Sequence, residues 1–410
     1  MARTAAILPD GARVTDFISL GVIGKYFPLP EIHRILAENG AASQRQRALP
    51  AHVVMYYVIA LGLFMQVAYG EVLRCLLEGL SWLRFPGLDV AVASRSGISR
   101  ARSRLGVQPV KQLHDEFVVP VATARTKGAW YRELRLVSLD GSTLDVADTV
   151  ANARAFGRPK ASRGRSAFPQ IRFVSLVENG THVLFGSAYG RFSTSEKTLA
   201  MRVLPRLRTG MLCLADRYFQ GYELWQQAQS TGAELLWRIR RNSRTDIIER
   251  LPDGSYLTKI YATTTDRRRD ANGILVRAID YRLKGVPGAE PLYRLITTIV
   301  DWQRAPASEL AALYHERWEI ETAFDELKTH LRGARIVLRS KTPELVAQEF
   351  YGLIMAHFAV RGLMHEAALK ADVDPDTISF VHSVRVIRRK LPLFHALPPS
   401  GSDVVPSSRS

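Results

Sequence analysis

The chain has 410 residues, of which 47% are hydrophobic, and its formal net charge is +17 at pH 7. A chain of this length and hydrophobic content can bury a large core over two or three structural units, so it needs no disulfide staples. The excess of positive charge favours an acidic partner, nucleic acid more than a membrane, because each phosphate contact releases counterions. A merely basic soluble protein is the alternative.

Cysteine content and the N-terminal segment both predict a cytoplasmic protein. Cys75 and Cys213 lie in apolar runs, which is typical of core residues in a reducing compartment rather than of a disulfide or a thiolate metal site. Residues 1–30 lack the basic start and unbroken apolar core of a signal peptide. The apolar run 53–69 is near the minimum length of a membrane span, but a glycine and a glutamine interrupt it, so we predict a buried helix.

The N-terminal part, residues 15–125, shows the apolar spacing of a helical unit. Near its end Ser99 is predicted to cap a short helix that grips phosphates or enters a groove of nucleic acid. This helix would present three arginines, Arg100, Arg102 and Arg104. A solvated basic helix end is the alternative.

Residues 126–241 show strand patterns and predict an α/β unit. The predicted order is three strands, a helix, a strand, a helix and a strand, of which the first strand ends at Asp140 and the fourth at Asp216. Between Asp148 and Glu178 the sequence has no acidic residue, so a loop along a nucleic acid is expected there. The basic residues of this stretch include Arg154, Arg158, Lys160, Arg163 and Arg165.

The segment from Asp216 to Glu321 is longer than one strand and one helix require. Turn signals and alternating apolar residues predict a β-rich insertion over about 242–300. Two further helices are expected after residue 342. The tail, residues 396–410, is rich in serine and proline, and we expect it to be disordered.

Four residues near the C-terminal end have the spacing of one helical stripe. Tyr314, Arg317, Glu321 and Lys328 fall at roughly 0°, 300°, 340° and 320° on a helix that turns about 100° per residue. The stripe borders the apolar face of the same segment, so it predicts a carboxylate between cations at the edge of a cleft.

Asp140, Asp216 and Glu321 could converge as a triad that holds two hard divalent cations, because Mg²⁺ takes oxygen ligands from carboxylates and phosphates. Each residue has another interpretation. Asp140 and Gly141 form a good two-residue hairpin turn, and Asp216 could cap the next helix. Glu321 could belong to a solvated array of helical ion pairs, with Asp325 as a rival ligand.

The spacing Tyr-x2-Arg-x3-Glu-x6-Lys resembles the signature of bacterial insertion-sequence DDE transposases, specifically the insertion-sequence-four group. The resemblance covers roughly residues 15–390. Asp140-Gly-Ser-Thr with Asp148, Asn152 and Phe156-Gly157 is similar to the family's first aspartate block, and Asp216-Arg-Tyr-Phe to its second.

The resemblance implies a ribonuclease H-like mixed sheet flanked by helices, with the β-rich insertion and an N-terminal helical domain. We therefore expect a DNA-binding domain over 1–125 and a catalytic domain over 126–395. The expected partners are double-stranded DNA, as transposon inverted repeats and target DNA, and a second copy of the chain in a homodimer. No membrane partner is expected.

The implied reaction is cleavage of transposon ends and joining of their 3′-hydroxyl groups to target DNA, with two Mg²⁺ ions, or Mn²⁺, on the triad. Tyr314, Arg317 and Lys328 would orient phosphates, with Arg217 as a further phosphate contact. The insertion would support a flipped base, for which stacking candidates are Trp237, Tyr293 and Trp302. A role in the core is the alternative for each of the three. A ribonuclease H-like metal-dependent nuclease and a non-catalytic DNA-binding relic are the alternative functions.

Overall fold

The computed structural model describes residues 18–43, 49–82, 94–159, 168–283, 290–334 and 336–389. Its helices are α1 Ile18–Tyr26, α2 Leu29–Glu38, α3 Ala51–Leu63, α4 Tyr69–Trp82, α5 Arg95–Leu105, α6 Gln108–Phe117, α7 Val150–Phe156, α8 Glu196–Val203, α9 Tyr222–Gln229, α10 Thr264–Arg269, α11 Ala307–Leu313, α12 Glu319–Asp325, α13 Pro343–Ala371 and α14 Phe380–Arg389. Its strands are β1 Trp130–Tyr131, β2 Leu134–Asp145, β3 Gln170–Glu178, β4 Val183–Arg191, β5 Met211–Ala215, β6 Glu234–Ile239, β7 Glu249–Arg250, β8 Tyr256–Ile260, β9 Ile274–Tyr281 and β10 Tyr293–Thr297.

The chain forms two compact units, and each is built from separate chain segments. The helical unit takes residues 1–119, 144–169 and 325–410, and the sheet unit takes 120–143 and 170–324. The domains predicted over 1–125 and 126–395 are contiguous, so these compact units do not follow them, and the predicted domain boundaries stay a prediction. The predicted tail lies outside the described residues.

Helix α3 is the centre of the helical unit. It is buried along nearly its whole length because α1, α2, α4, α5 and α13 pack around it. The apolar run over 53–69 is thus a core helix as far as Leu63, as predicted, but the helix ends there and α4 begins at Tyr69. Among the described residues, no helix combines the length and apolar character needed to cross a membrane.

Helices α3 and α13 approach each other closely at two glycines. A Cβ atom on Gly352 would lie 2.3 Å from the carbonyl oxygen of Val58, and one on Gly62 would lie 2.8 Å from the Cβ of Ala356. Neither glycine has room for a side chain. Glycine normally destabilises a helix interior relative to alanine, so its presence here reflects the contact between the helices.

In the sheet unit, strands lie in the order β4-β3-β2-β5-β6-β10-β9-β8-β7. β5 pairs in parallel with both β2 and β6, whereas β3 and β4 form an antiparallel hairpin. With α8 between β4 and β5 and α9 between β5 and β6, the first five strands of this order have the connectivity predicted from the sequence. This is the mixed sheet of a ribonuclease H-like fold.

The predicted β-rich insertion extends this sheet rather than forming a separate one. β10 pairs antiparallel with β6, and β9, β8 and β7 follow it outward. A short helix, α10, lies between β8 and β9.

The sequence expectation that the first strand ends at Asp140 is wrong. β2 continues to Asp145, and its parallel pairing with β5 runs from Arg135↔Met211 to Leu139↔Ala215. The alternative of a two-residue hairpin turn at Asp140 and Gly141 is therefore also excluded.

We expect Gly352→Ala to destabilise the protein by about 1–3 kcal/mol, because the added methyl group forces two packed helices apart. Gly24→Ala is the matched control, since a Cβ there would meet no atom within 4 Å and alanine favours the helix by up to about 1 kcal/mol. Thermal unfolding followed by circular dichroism measures both. Equal melting temperatures for the two variants would contradict the close approach of α3 and α13.

Candidate active site

Two aspartates of the predicted triad are neighbours, one on β2 and the other directly after the adjacent strand β5. The parallel register ends with Leu139 opposite Ala215, so the next residues on the two strands are Asp140 and Asp216. The Asp216 carboxylate also accepts a hydrogen bond of 2.8 Å from the backbone N–H of Tyr218. Asp216 thus caps the 3₁₀ turn Arg217–Phe219, whereas Gly221 precedes α9, so the interpretation that Asp216 caps the helix starting near Tyr222 is wrong.

Arg317 connects Asp140 on β2 to Glu321. Its Nη1 atom lies 3.3 Å from Oδ2 of Asp140, and its Nη2 atom lies 3.6 Å from Oε1 of Glu321. The Arg317 side chain is only 10% exposed, whereas that of Glu321 is 49% exposed. One guanidinium therefore holds two of the three predicted carboxylates together.

The segment that carries the signature is not the uniform α-helix assumed from the sequence. Residues Tyr314–Trp318 form a 3₁₀ helix, α12 follows, and Glu326–Leu331 form a π-helix. Side chains three residues apart eclipse in a 3₁₀ helix, so Tyr314 and Arg317 still share one face. After Glu326 the constant rotation of 100° no longer applies.

Tyr314 is a buried residue that holds the C-terminal end of β5. Its hydroxyl donates a 3.2 Å hydrogen bond to the carbonyl of Ala215, the residue before Asp216, and its side chain is buried. Burial is the main cause that raises the pKa of Tyr314. The Tyr314 hydroxyl is thus engaged by a backbone carbonyl in the free protein, and its predicted contact with phosphates stays a prediction.

Lys328 lies in the π-helical segment and belongs to the helical unit. Burial and then the neighbouring Arg332 lower its pKa, while Asp325 and Asp145 oppose this change. Its predicted place on a common stripe with Glu321 stays a prediction.

The carboxyl group of Asp140 lies in an environment that disfavours its charge. Burial, the largest cause, raises the pKa of Asp140 to about 6, and the charges of Asp216 and Glu196 act in the same direction. The N–H of Gly141, which donates a 2.7 Å hydrogen bond, and Arg317 lower it. The negative charge here is therefore only partly compensated by the protein.

Glu196 is a fourth carboxylate that the sequence analysis missed. A Cβ atom on Gly141 would lie 2.7 Å from both Cγ and Cδ of Glu196, so this side chain lies against the backbone beside Asp140. Arg172 lies close to it, with its Nε atom 3.8 Å from Oε1 of Glu196. In the sequence Glu196 follows Ser195, the residue that caps α8, so it is indistinguishable from an ordinary acidic residue in a first helical turn.

The chemistry of these side chains suits a divalent metal. Carboxylate oxygens are the donors that Mg²⁺ and Mn²⁺ take in proteins, and a partly buried set of them is costly without a compensating cation. Asp140 and Asp216 lie side by side, Arg317 ties Glu321 to Asp140, and Glu196 adds a further carboxylate beside them.

Comparisons with known proteins show the family of this chain. Residues 17–115 match the family model described as insertion element 4 transposase N-terminal, and residues 131–359 match the transposase DDE domain. The chain belongs to the IS4 family of DDE transposases. It is 30% identical over 373 residues to the transposase InsG for insertion sequence element IS4 of Escherichia coli K12, which covers 90% of this chain and 82% of InsG.

More distant similarities are also present. A putative transposase of E. coli K12, InsZ, is 24% identical over 241 residues, which is 56% of this chain and 75% of InsZ. The piggyBac transposase in a synaptic complex with hairpin DNA has a TM-score of 0.46 and 11% identity, covering 91% of this chain and 79% of that one.

The basic helix α5 of this transposase divides its arginines between surface and core. Arg100 and Arg104 are exposed. Arg102 is 2% exposed and donates to the side chains of Gln348 and Ser340 and to the carbonyl of Leu345. The expectation that Arg102 contacts DNA is therefore wrong.

The cap of α5 also differs from the expectation. Ser94 caps this helix by accepting a hydrogen bond from the N–H of Gly97, so the prediction that Ser99 caps it is wrong.

The other predicted DNA contacts of the transposase have mixed positions. Arg154 is exposed on α7, and Arg158 forms an ion pair with Asp148. Arg217 is exposed and paired with Glu290. The remaining predictions, Lys160, Arg163 and Arg165, lie outside the described residues.

The three stacking candidates also differ from one another. Trp237 is buried and packs edge-on against Trp225, so it is a core residue. Tyr293 stacks on Tyr281 of the neighbouring strand, with the rings 5.2 Å apart. Trp302 is half-buried.

We expect Gly141→Ala to displace Glu196 and to weaken metal binding, because the new methyl group would occupy the space of the Glu196 side chain. Thermal unfolding with and without Mn²⁺ measures this as a smaller stabilisation by the metal. Gly24→Ala is the control, since a Cβ there would meet no atom within 4 Å and its φ lies outside the left-handed region. A Gly141→Ala protein stabilised by Mn²⁺ as strongly as the wild type would contradict the contact.

Proposed function

We propose that this transposase cleaves DNA at the ends of its element and joins the 3′-hydroxyl ends to target DNA. Asp140, Asp216 and Glu321 would hold two divalent cations, Mg²⁺ or Mn²⁺. The proposal rests on one arrangement in a chain of the DDE family. Arg317 contacts both Asp140 and Glu321, and Asp140 is the neighbour of Asp216. A non-catalytic relic is expected to have lost at least one of the three carboxylates, and all three are present in this sequence.

When bound, the cations would lower the pKa of an attacking water or 3′-hydroxyl and stabilise charge on the leaving oxygen. The protein's own part is positioning. β2 and β5 present Asp140 and Asp216 from rigid strands, and Tyr314 holds the end of β5. Arg317, a planar donor that suits two oxygens at once, would orient a phosphate beside the carboxylates that it contacts in the free protein.

The DNA partner is supported by charge and exposure. The net charge of +17 gives a general attraction to a polyanion, and Arg100, Arg104 and Arg154 are exposed and so available to phosphates. We propose double-stranded DNA, as the terminal inverted repeats and the target, as the substrate. The working form is proposed to be a homodimer that holds two ends, on the strength of the family resemblance.

Alanine at Asp140, Asp216 or Glu321 is expected to abolish cleavage and leave binding of the element's terminal DNA largely intact. Each change removes a metal ligand but also removes a negative charge near the phosphates. Binding is measured by gel shift in Ca²⁺, and cleavage in Mg²⁺ on saturating DNA. Asp325→Ala is the control, because it removes an exposed carboxylate from the same stretch of chain.

Retained cleavage in any of the three variants would remove that residue from the triad. Loss of cleavage in Asp325→Ala together with normal cleavage in Glu321→Ala would transfer the role to Asp325.

The double substitution Arg100→Ala and Arg104→Ala is expected to weaken DNA binding and flatten the plot of log K against log salt by up to about 0.9 per lost phosphate contact. Its melting temperature should be unchanged, because both side chains are exposed. Arg102→Ala should do the reverse, since it leaves buried partners unsatisfied and lowers the melting temperature. An unchanged salt slope in the double variant would assign Arg100 and Arg104 to solvent.

A further inference from the structure

Glu290 occupies a position between two arginines. Its Oε1 atom accepts a 2.8 Å hydrogen bond from Nη1 of Arg217, and its Oε2 atom lies 2.6 Å from Nη2 of Arg238. The Glu290 side chain is 34% exposed and that of Arg217 is 52% exposed. One carboxylate is thus shared by two cations, so the cluster keeps a net positive charge.

This cluster lies at the same end of the strands as the candidate active site. Arg217 directly follows Asp216. β5 and β6 are parallel and end their pairing with Ala215 opposite Trp237, so Arg238 is the residue beside Asp216. The charge of Arg238 also acts on the Tyr314 hydroxyl, which holds the end of β5.

The two arginines are presented in a way that suits a phosphate. Arg238 lies over the ring of Tyr293 at 4.5 Å, and Tyr293 stacks on Tyr281 across the neighbouring strand. This support fixes the guanidinium of Arg238, whereas Arg217 is at the surface. Two guanidinium groups that each bind one oxygen of a carboxylate can equally bind two oxygens of a phosphate diester.

We propose that Arg217 and Arg238 form a binding site for a backbone phosphate of DNA close to the bond that is cut, and that Glu290 fills this site in the free protein. DNA then binds by displacing a carboxylate that resembles its own phosphate. Displacement is feasible at Arg217, because an ion pair with side chains 52% and 34% exposed contributes little stability, whereas the Arg238 side chain is 18% exposed. The inference rests on the proposed function, since it takes DNA as the substrate.

The competing interpretation is that Glu290 only anchors the start of β10. The backbone N–H of Glu290 donates a 3.0 Å hydrogen bond to the Tyr293 hydroxyl, so this residue does have a local structural role. The two interpretations predict opposite effects on DNA affinity when the carboxylate alone is neutralised. If Glu290 is only an anchor, neutralising it leaves the DNA affinity unchanged or lowers it. If Glu290 occupies the phosphate site, neutralising it raises the DNA affinity.

The test is Glu290→Gln, which keeps the shape of the side chain and removes its charge. We expect the Kd for the element's terminal DNA, measured in Ca²⁺ by fluorescence anisotropy, to fall roughly three- to tenfold. Glu309→Gln is the matched control, because Glu309 is a similarly exposed carboxylate paired with Arg132 in the same unit. It makes the same change in net charge away from the cluster.

A second experiment isolates the two arginines. Replacing both Arg217 and Arg238 by Gln should weaken binding and lower the salt slope by about 0.9 for the lost phosphate contact. In that background Glu290→Gln should have no further effect on the Kd, because nothing is left for the carboxylate to block.

The outcomes separate this site from the proposed function. Two results overturn the site alone when the wild type binds DNA normally. One is an unchanged or raised Kd in Glu290→Gln, and the other is an equal gain in DNA affinity in Glu309→Gln. Tighter binding by Glu290→Gln that persists without the two arginines also overturns it. A wild-type protein that binds no terminal DNA overturns the proposed function and this site with it.

Discussion

The parallel pairing of β2 with β5 is the constraint on which the active site depends. Its last pair is Leu139 and Ala215, and this register alone makes Asp140 and Asp216 neighbours. A slip of one residue would turn the side chains of a strand to the opposite face of the sheet. The buried apolar residues on both strands oppose such a slip, so the core of the sheet unit is what places the two acidic residues together.

The negative charge that accumulates around Asp140 and Asp216 requires cations, and the protein supplies only some of them. Arg317 bridges Asp140 and Glu321, and Arg172 lies close to Glu196. Because some cations are paired inside the protein, the net charge of +17 overstates the number of cations that are free to bind DNA. Several arginines are buried and engaged by carboxylates and carbonyls, among them Arg102, Arg277 and Arg361. Such residues stabilise the fold and are unavailable to a phosphate.

The β-rich insertion extends the same sheet that carries Asp140 and Asp216. Because β10 continues the sheet directly from β6, Arg238 and Glu290 lie in one unit with the predicted triad. Alternation along β6 sends Trp237 into the core and Arg238 to the other face. An aromatic residue in this region is therefore no guide to base stacking unless its face of the strand is known.

The sequence by itself determined the order of strands and helices, the three carboxylates as candidates and the family to which the chain belongs, since local periodicity and motif spacing encode all three. Only the tertiary structure decided that Glu196 lies beside Asp140, that Arg102 is buried, that Tyr314 supports β5 and that the signature segment changes from 3₁₀ to α to π geometry. Those features depend on contacts between residues far apart in the chain. A helical repeat specifies which side chains share a face, whereas the partner of that face is set by how the whole core packs.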